Sequence, residues 1–181
     1  ANFLASEGVR EIFMLSGTGS IYLDDAFAHQ REMKYICARH EAAAVVMAEA
    51  VAKLTGKIGV VVSTTGPGAT NAAAGVVEAW VDSVPVLVIS GQVDSSQMTS
   101  NDRTFGVQGF DVVSHVSSIT KYSATVSDPK SIRYHLEKAI ALATSGRPGP
   151  VWLDIPMNVQ SAEIALEDLY GFDDKKESYD C

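Results

Sequence analysis

The chain has 181 residues, of which 46% are hydrophobic and 20% charged, and its formal net charge is −8. That length suits one domain able to bury a substantial core. The acidic balance argues against a nucleic-acid or anionic-membrane partner, because counterion release requires a basic surface. No apolar stretch approaches the ~20 residues of a spanning helix, and no charged n-region precedes an apolar run at the start. Cys37 falls within an apparent strand and Cys181 is the last residue. They read as a buried thiol and a tail thiol, and this usage favours a cytoplasmic over a secreted setting.

The opening Ala-Asn-Phe-Leu-Ala-Ser has the pattern of an amphipathic helix caught in its middle, so the chain reads as a piece of something longer. Residues 11–15 predict a strand that ends in the turn 16–20, Ser-Gly-Thr-Gly-Ser. A short helix over 21–28 and a strand over 34–38 follow. Residues 41–55 are alanine-rich with apolar residues at helical spacing, and Gly56 supplies the stop. Residues 58–63 form a continuous apolar run of the kind buried in a parallel sheet. Beyond the turn at Gly66-Pro67-Gly68 come a helix over 69–81 and a strand over 84–90. Residues 91–118 are polar and predict a long loop with a helical turn near Asp111. A strand over 122–126, a helix over 129–144 and a strand over 151–155 complete the pattern. From residue 166 onward periodicity is lost and Glu167, Asp168, Asp173, Asp174, Glu177 and Asp180 accumulate, as in an acidic linker or tail.

Strand alternates with helix throughout, and the strands are apolar on both faces. The pattern predicts an α/β fold with an open, mainly parallel sheet and helices on both faces. Ligands of such folds sit at the carboxyl ends of the strands, which here carry the turn 16–20, Arg39-His40-Glu41 and the segment 64–71. Gly17-x-Gly19 and Gly66-x-Gly68 invite a dinucleotide reading. The third glycine would fall at Tyr22 or Asn71, where a side chain obstructs close helix–strand packing. A phosphate-binding Gly-Lys-Ser/Thr loop also fails, since Gly56-Lys57 precedes Ile58. His40 has no second histidine or carboxylate near enough in sequence to form a metal set, so no metal ligand is assigned.

Two readings of Glu41 stand on the residues alone. It is a first-turn carboxylate complementing the helix dipole, or a functional carboxylate that another group approaches closely. Ala42, Ala43 and Ala44 leave room for the second.

Four segments resemble a known family: Arg39-His40-Glu41, the run from Thr64 to Asn71, the run from Asp82 to Gln92, and the run from Ser145 to Val151. Ile119-Thr120-Lys121 adds a weaker match. The chain resembles the N-terminal pyrimidine-binding domain of the acetolactate synthase and pyruvate oxidase group of thiamine-diphosphate enzymes. The likeness covers residues 1–165, leaving 166–181 as the tail toward a missing domain. It implies that Glu41 bonds the ring nitrogen of the cofactor's aminopyrimidine and so activates the cofactor. It also implies that Ser16, Gly17, Pro67, Asn71 and Gln108 line the pyrimidine pocket and substrate channel, with Gln108 near the reacting groups, and that Arg147 contacts a flavin where FAD is present.

This chain departs from the family pattern at Leu15-Ser16 in place of Tyr-Pro, at Ala42 in place of Gln, and at Gln108-Gly109 in place of Gln-Glu. These changes bear on the substrate rather than on cofactor activation. The Gly-Asp-Gly segment that holds magnesium and diphosphate in the family does not occur, so Mg2+ would come through another domain. The implied activity is decarboxylation of a 2-oxo acid with transfer of a two-carbon unit, in a homodimer or tetramer. The alternatives are a pyruvate oxidase or decarboxylase, another carbon–carbon lyase, or a non-catalytic α/β ligand-binding module. The apolar helices 41–55 and 69–81 also predict a subunit interface at Ala42, Val45, Val46, Ala72, Ala73 and Val76.

Overall fold

In the computed structural model, which describes residues 1–98 and 106–173, the apolar segments become six strands. They are β1 (Glu11–Met14), β2 (Lys34–Cys37), β3 (Gly59–Ser63), β4 (Val86–Gln92), β5 (Tyr122–Thr125) and β6 (Val151–Pro156). Every neighbouring pair is parallel, and the order across the sheet is β2-β1-β3-β4-β6-β5. Seven helices accompany them among the described residues: α1 (Asn2–Ser6), α2 (Ile21–Ala28), α3 (Glu41–Thr55), α4 (Pro67–Asp82), α5 (Val112–Val116), α6 (Ile132–Thr144) and α7 (Met157–Gln160). None is long and apolar enough to cross a membrane.

Side chains alternate across each strand, so the apolar runs feed two cores. Phe13, Val61, Val86, Val88 and Trp152 face α3, α4 and α5. Ile12, Val60, Val62, Leu87 and Leu153 face α1, α2, α6 and α7. Each large apolar side chain buried in this way contributes about 1.5–3 kcal/mol. The open parallel sheet covered on both faces, expected from the alternation of elements, is what forms.

Local chemistry sets the ends of the long helices. The His40 ring caps α3 by accepting the Ala42 N–H at 3.2 Å. Gly56 then ends the helix at φ 70°, a left-handed conformation that costs glycine little. Gly66 at φ 54° turns the chain into α4, where Pro67 occupies a position with no N–H to satisfy. Lys53 ties the two helices together, with Nζ 2.6 Å from the buried Glu49 carboxylate and 2.7 Å from Asp82.

Three expectations need correction or refinement. Cys37 is exposed, not buried, because β2 is an edge strand and α3 passes over β1 and β3 instead of over it. All four β2 residues are exposed, so two-sided covering does not extend to this strand. Most of the residues expected to form an interface on α3 and α4 are also not at the surface. Val45, Ala72, Ala73 and Val76 are internal, Ala42 is half-buried, and of the six residues only Val46 is exposed. The helices pack on each other so closely that a Cβ at Gly75 would sit 2.8 Å from the Ala42 carbonyl oxygen. Their small side chains serve that helix–helix contact. The refinement concerns the long loop, which contains short 3₁₀ turns at Ser95–Gln97 and Val107–Gly109 before Asp111 caps α5.

Residues 166–173 lie along α6. Lys130 pairs with Asp168 at 3.0 Å, the Tyr170 N–H donates to the Lys130 carbonyl, and the Phe172 N–H donates to Glu137. The rest of the acidic stretch, 174–181 with Cys181, lies outside the described residues, as does 99–105.

Candidate functional site

The strand order dictates where a crevice opens. From β1 the chain crosses through α2 to β2 on one side, then returns through α3 to β3 on the other side of β1. The turns leaving β1 and β3 therefore diverge to opposite faces, and a cleft forms at their carboxyl ends. Its volume is about 370 Å3. Gly17, Thr18 and Gly19 line it from the β1 turn, Thr64 and Thr65 from the end of β3, and Val93, Gln108 and Met157 from farther along the sheet.

The β1 turn is held tightly. The Gly17 N–H donates to Asp24 Oδ2 at 3.2 Å, and the Gly17 carbonyl accepts from the backbone N–H and the hydroxyl of Ser20. Burial raises the Asp24 pKa against the lowering effect of the bonds that its carboxylate accepts from the Gly17 N–H and, at 3.1 Å, the Ser20 hydroxyl. Gly19 lies directly on Thr65, and its carbonyl lies against Gly91 and accepts from Gln160 at 2.8 Å. A Cβ at either Gly19 or Gly91 would collide with these neighbours, so close backbone approach is what glycine provides here. Since both polar groups of Gly17 are engaged within the turn, this residue offers the cleft its bare surface.

Glu41 opens α3 at the end of β2, next to the β1 turn. A solvated first-turn carboxylate would be exposed, whereas Glu41 is 9% exposed. Its Oε2 accepts from Asn71 Nδ2 at 3.1 Å, and among the described residues Oε1 takes no hydrogen bond. A Cβ at Gly68 would stand 3.3 Å from Oε1 and 2.7 Å from Thr64 Cγ2. Gly68 thus keeps the space beside the carboxylate clear, and Thr64 links that space to the cleft. Asn71 and Pro67, on the first turns of α4, are exposed, and so is Ser16.

Gln108 reaches the cleft from the 3₁₀ turn that folds over Gly66, where its Oε1 accepts a short hydrogen bond from Thr65 Oγ1. Ser16, Gly17, Glu41, Pro67, Asn71 and Gln108 therefore gather at one edge of the sheet. Arg147 does not join them. It precedes β6 at the opposite edge, donating to Ser83 Oγ at 2.6 Å and to the Val81 carbonyl at 3.3 Å. There it lines a hollow of about 430 Å3 with Trp80, Val81, Lys121 and Pro148.

Sequence reasoning did not assign Thr18, Thr64, Thr65, Val93 and Met157 to the site. Thr64 and Thr65 sat inside a quoted motif. Met157 follows the last strand, and the rule that strand ends on this edge contribute would have flagged it. A buried polar group was also missed. Asp154 of β6 accepts from Ser90 Oγ at 2.5 Å and Gln92 Nε2 at 2.9 Å, and burial pushes its pKa up to about 7. The signal was available as three polar residues in otherwise apolar strands.

Residues 1–115 match the family described as thiamine pyrophosphate enzyme, N-terminal TPP binding domain. The chain belongs to this family. Among its curated relatives, the large subunit of acetolactate synthase isozyme 3 from Escherichia coli is 39% identical over 156 residues, 86% of this chain and 26% of that protein. The Lactococcus lactis acetolactate synthase large subunit is 41% identical over 157 residues, 87% of this chain and 27% of that protein. The chloroplastic acetolactate synthase of Arabidopsis thaliana is 38% identical over 160 residues, covering 87% and 23% respectively. This N-terminal domain of a thiamine pyrophosphate enzyme spans about a quarter of the length of the relatives it matches. The site fits the family's cofactor on one structural observation: a nearly buried carboxylate with one oxygen fixed by Asn71 and the other open beside Gly68.

Proposed function

We propose that this chain is the pyrimidine-binding part of a longer acetolactate synthase-type enzyme that decarboxylates a 2-oxo acid and transfers the two-carbon unit to an acceptor. The observation that carries this reading is the placement of Glu41, withdrawn from solvent at the switch-point edge with Oε1 open. Glu41 accepts the pyrimidine ring N–H and holds a proton at that nitrogen, and Asn71 keeps the carboxylate aimed. Gly17, Gly68 and Pro67 let the ring approach, Ser16 borders the turn, and Gln108 stands at the substrate entrance. The bound thiamine diphosphate supplies the carbanion-stabilising chemistry that protein side chains lack.

In this reading magnesium binds with the diphosphate through a separate C-terminal domain, where the family resemblance places the Gly-Asp-Gly segment. FAD is the further cofactor implied for Arg147, at the opposite-edge hollow with Trp80. An exposed free thiol at Cys37 accords with a cytoplasmic setting. The test uses two forms of the protein. With thiamine diphosphate and Mg2+, the full-length protein is expected to release CO2 from pyruvate and form acetolactate. Residues 1–181 alone are expected to bind thiamine diphosphate poorly by calorimetry and to turn over nothing, because the charge-assisted contacts lie elsewhere. Micromolar binding by the isolated chain, or no 2-oxo acid turnover by the full protein, contradicts the reading.

The reading also entails a homodimer or larger assembly. The supporting surface is the outer side of α3 and α4, where Val46 (41%), Met47 (42%), Val77 (45%) and Trp80 (39%) stay exposed. Apolar residues on the outer side of a helix pair need a second covering. Sedimentation of the full protein should give a dimer or tetramer, and V46E/V77E should shift it toward monomer. A parent that sediments as a monomer at high concentration rules the assembly out.

A further inference from the structure

Ser90, Gln92, Trp152 and Asp154 form a polar cluster buried where β4 pairs with β6, with Ser90 in register with Asp154. Trp152 Nε1 donates to Ser90 Oγ at 2.8 Å, and Ser90 donates in turn to Asp154 Oδ1. The carboxamide of Gln92 is fully committed. Its Nε2 donates to Asp154 Oδ2 at 2.9 Å and to the Phe110 carbonyl at 3.0 Å, while its Oε1 accepts the Val93 N–H at 2.9 Å. A carboxyl group inside a sheet costs free energy that apolar side chains would not, so packing alone does not account for the cluster.

Its outward reach is the bond to Phe110. That residue follows the turn Val107–Gly109, which carries Gln108 over the cleft. The segment is pinned at two points, by Thr65 on Gln108 and by Gln92 on Phe110. Asp154 and the Val93 N–H together fix the second pin, because between them they set which end of the carboxamide faces Phe110. With Asp154 accepting one Nε2 hydrogen, the other points at the carbonyl. Without that acceptor the amide is held only by the Phe110 carbonyl and the Val93 N–H, and a buried Nε2 hydrogen left without a partner loosens the bond to Phe110.

We propose that Asp154 and Gln92 are positioning residues for the cleft: Asp154 orients the Gln92 carboxamide, which through Phe110 sets the placement of Gln108 at the substrate entrance. The catalytic part of this inference rests on reading the cleft as that entrance. Geometrically it stands on the hydrogen bonds alone.

The test compares full-length parent, Q92L, D154L and D154N by amide hydrogen–deuterium exchange and by KM and kcat for pyruvate. Q92L and D154L are expected to speed exchange in residues 106–110 about tenfold, a local opening, while amides of β1 and β3 keep the parent's rates. KM should rise more than kcat falls. D154N retains an oxygen that accepts from Gln92, so it should rescue both readouts to near the parent. Unchanged exchange at 106–110 in Q92L overturns the proposal, as does an increase spread equally over the whole sheet. D154N as damaging as D154L also overturns it, because charge rather than orientation would then be at work. Should D154L fail to fold, Q92L and D154N decide. If no 2-oxo acid is turned over even by the parent, the functional reading falls, and the exchange pattern still decides the positioning claim.

Discussion

Glu41→Gln in the full-length protein is expected to slow deuterium exchange at the thiazolium carbon of bound thiamine diphosphate by about 10²–10⁴-fold, the usual contribution of a positioned general acid–base group. The fold should survive. Glutamine keeps an oxygen that can accept from Asn71, whose bond to Glu41 is 3.1 Å. The helix loses only a first-turn charge, worth about 0.3–1 kcal/mol, and the His40 cap is untouched. What disappears is the charged acceptor on Oε1, and bonds to a charged acceptor are about twice as strong as neutral ones. Parent-like exchange with a normal circular dichroism spectrum would refute the assignment of Glu41. A lost fold together with lost exchange would return Glu41 to a structural role.

The second large effect is a pH dependence centred on Asp154. Its pKa is pushed from 3.8 to about 7 by burial, against the lowering effect of bonds from Ser90 and Gln92. The sign follows from linkage. Below pH 3.8 the carboxyl is protonated in the folded and unfolded chain alike, and its neutral form carries no penalty. Between that value and about 7 the unfolded chain ionises first, so stability is lost as pH rises, and above it the loss is complete. The full span corresponds to about 4 kcal/mol at ~1.4 kcal/mol per unit. Native-state exchange of the β4 and β6 amides, corrected for intrinsic rates, should report this loss in the full-length protein between about pH 4 and 7. D154N should flatten the curve. Parallel curves for parent and D154N would show that Asp154 ionises as easily folded as unfolded.

Much of the fold was legible because its determinants are local. The helices over 21–28 and 41–55 were readable to the residue from periodicity and from Gly56. Where reading failed, the missing quantity was a neighbour. Cys37 sits in a strand whose sequence does not reveal that it is an edge, and the edge position leaves it exposed. The alanines of α3 and α4 have the composition of an interface, and they are one, but between these two helices.

By itself the sequence determined the α/β class, the parallel pairing, the family, and the location of Glu41 at a strand's carboxyl end, since propensity, turn chemistry and motif strings are properties of contiguous residues. Tertiary structure alone decided that Glu41 turns inward onto Asn71, thirty positions away. It also decided that Gln108 folds over Gly66, that Arg147 stands at the far edge, and that Ser90, Gln92 and Asp154 meet in one buried cluster. Each of these depends on which strands are adjacent. Adjacency is set by the packing of two whole faces against the sheet, an energy summed over the core that no local segment encodes.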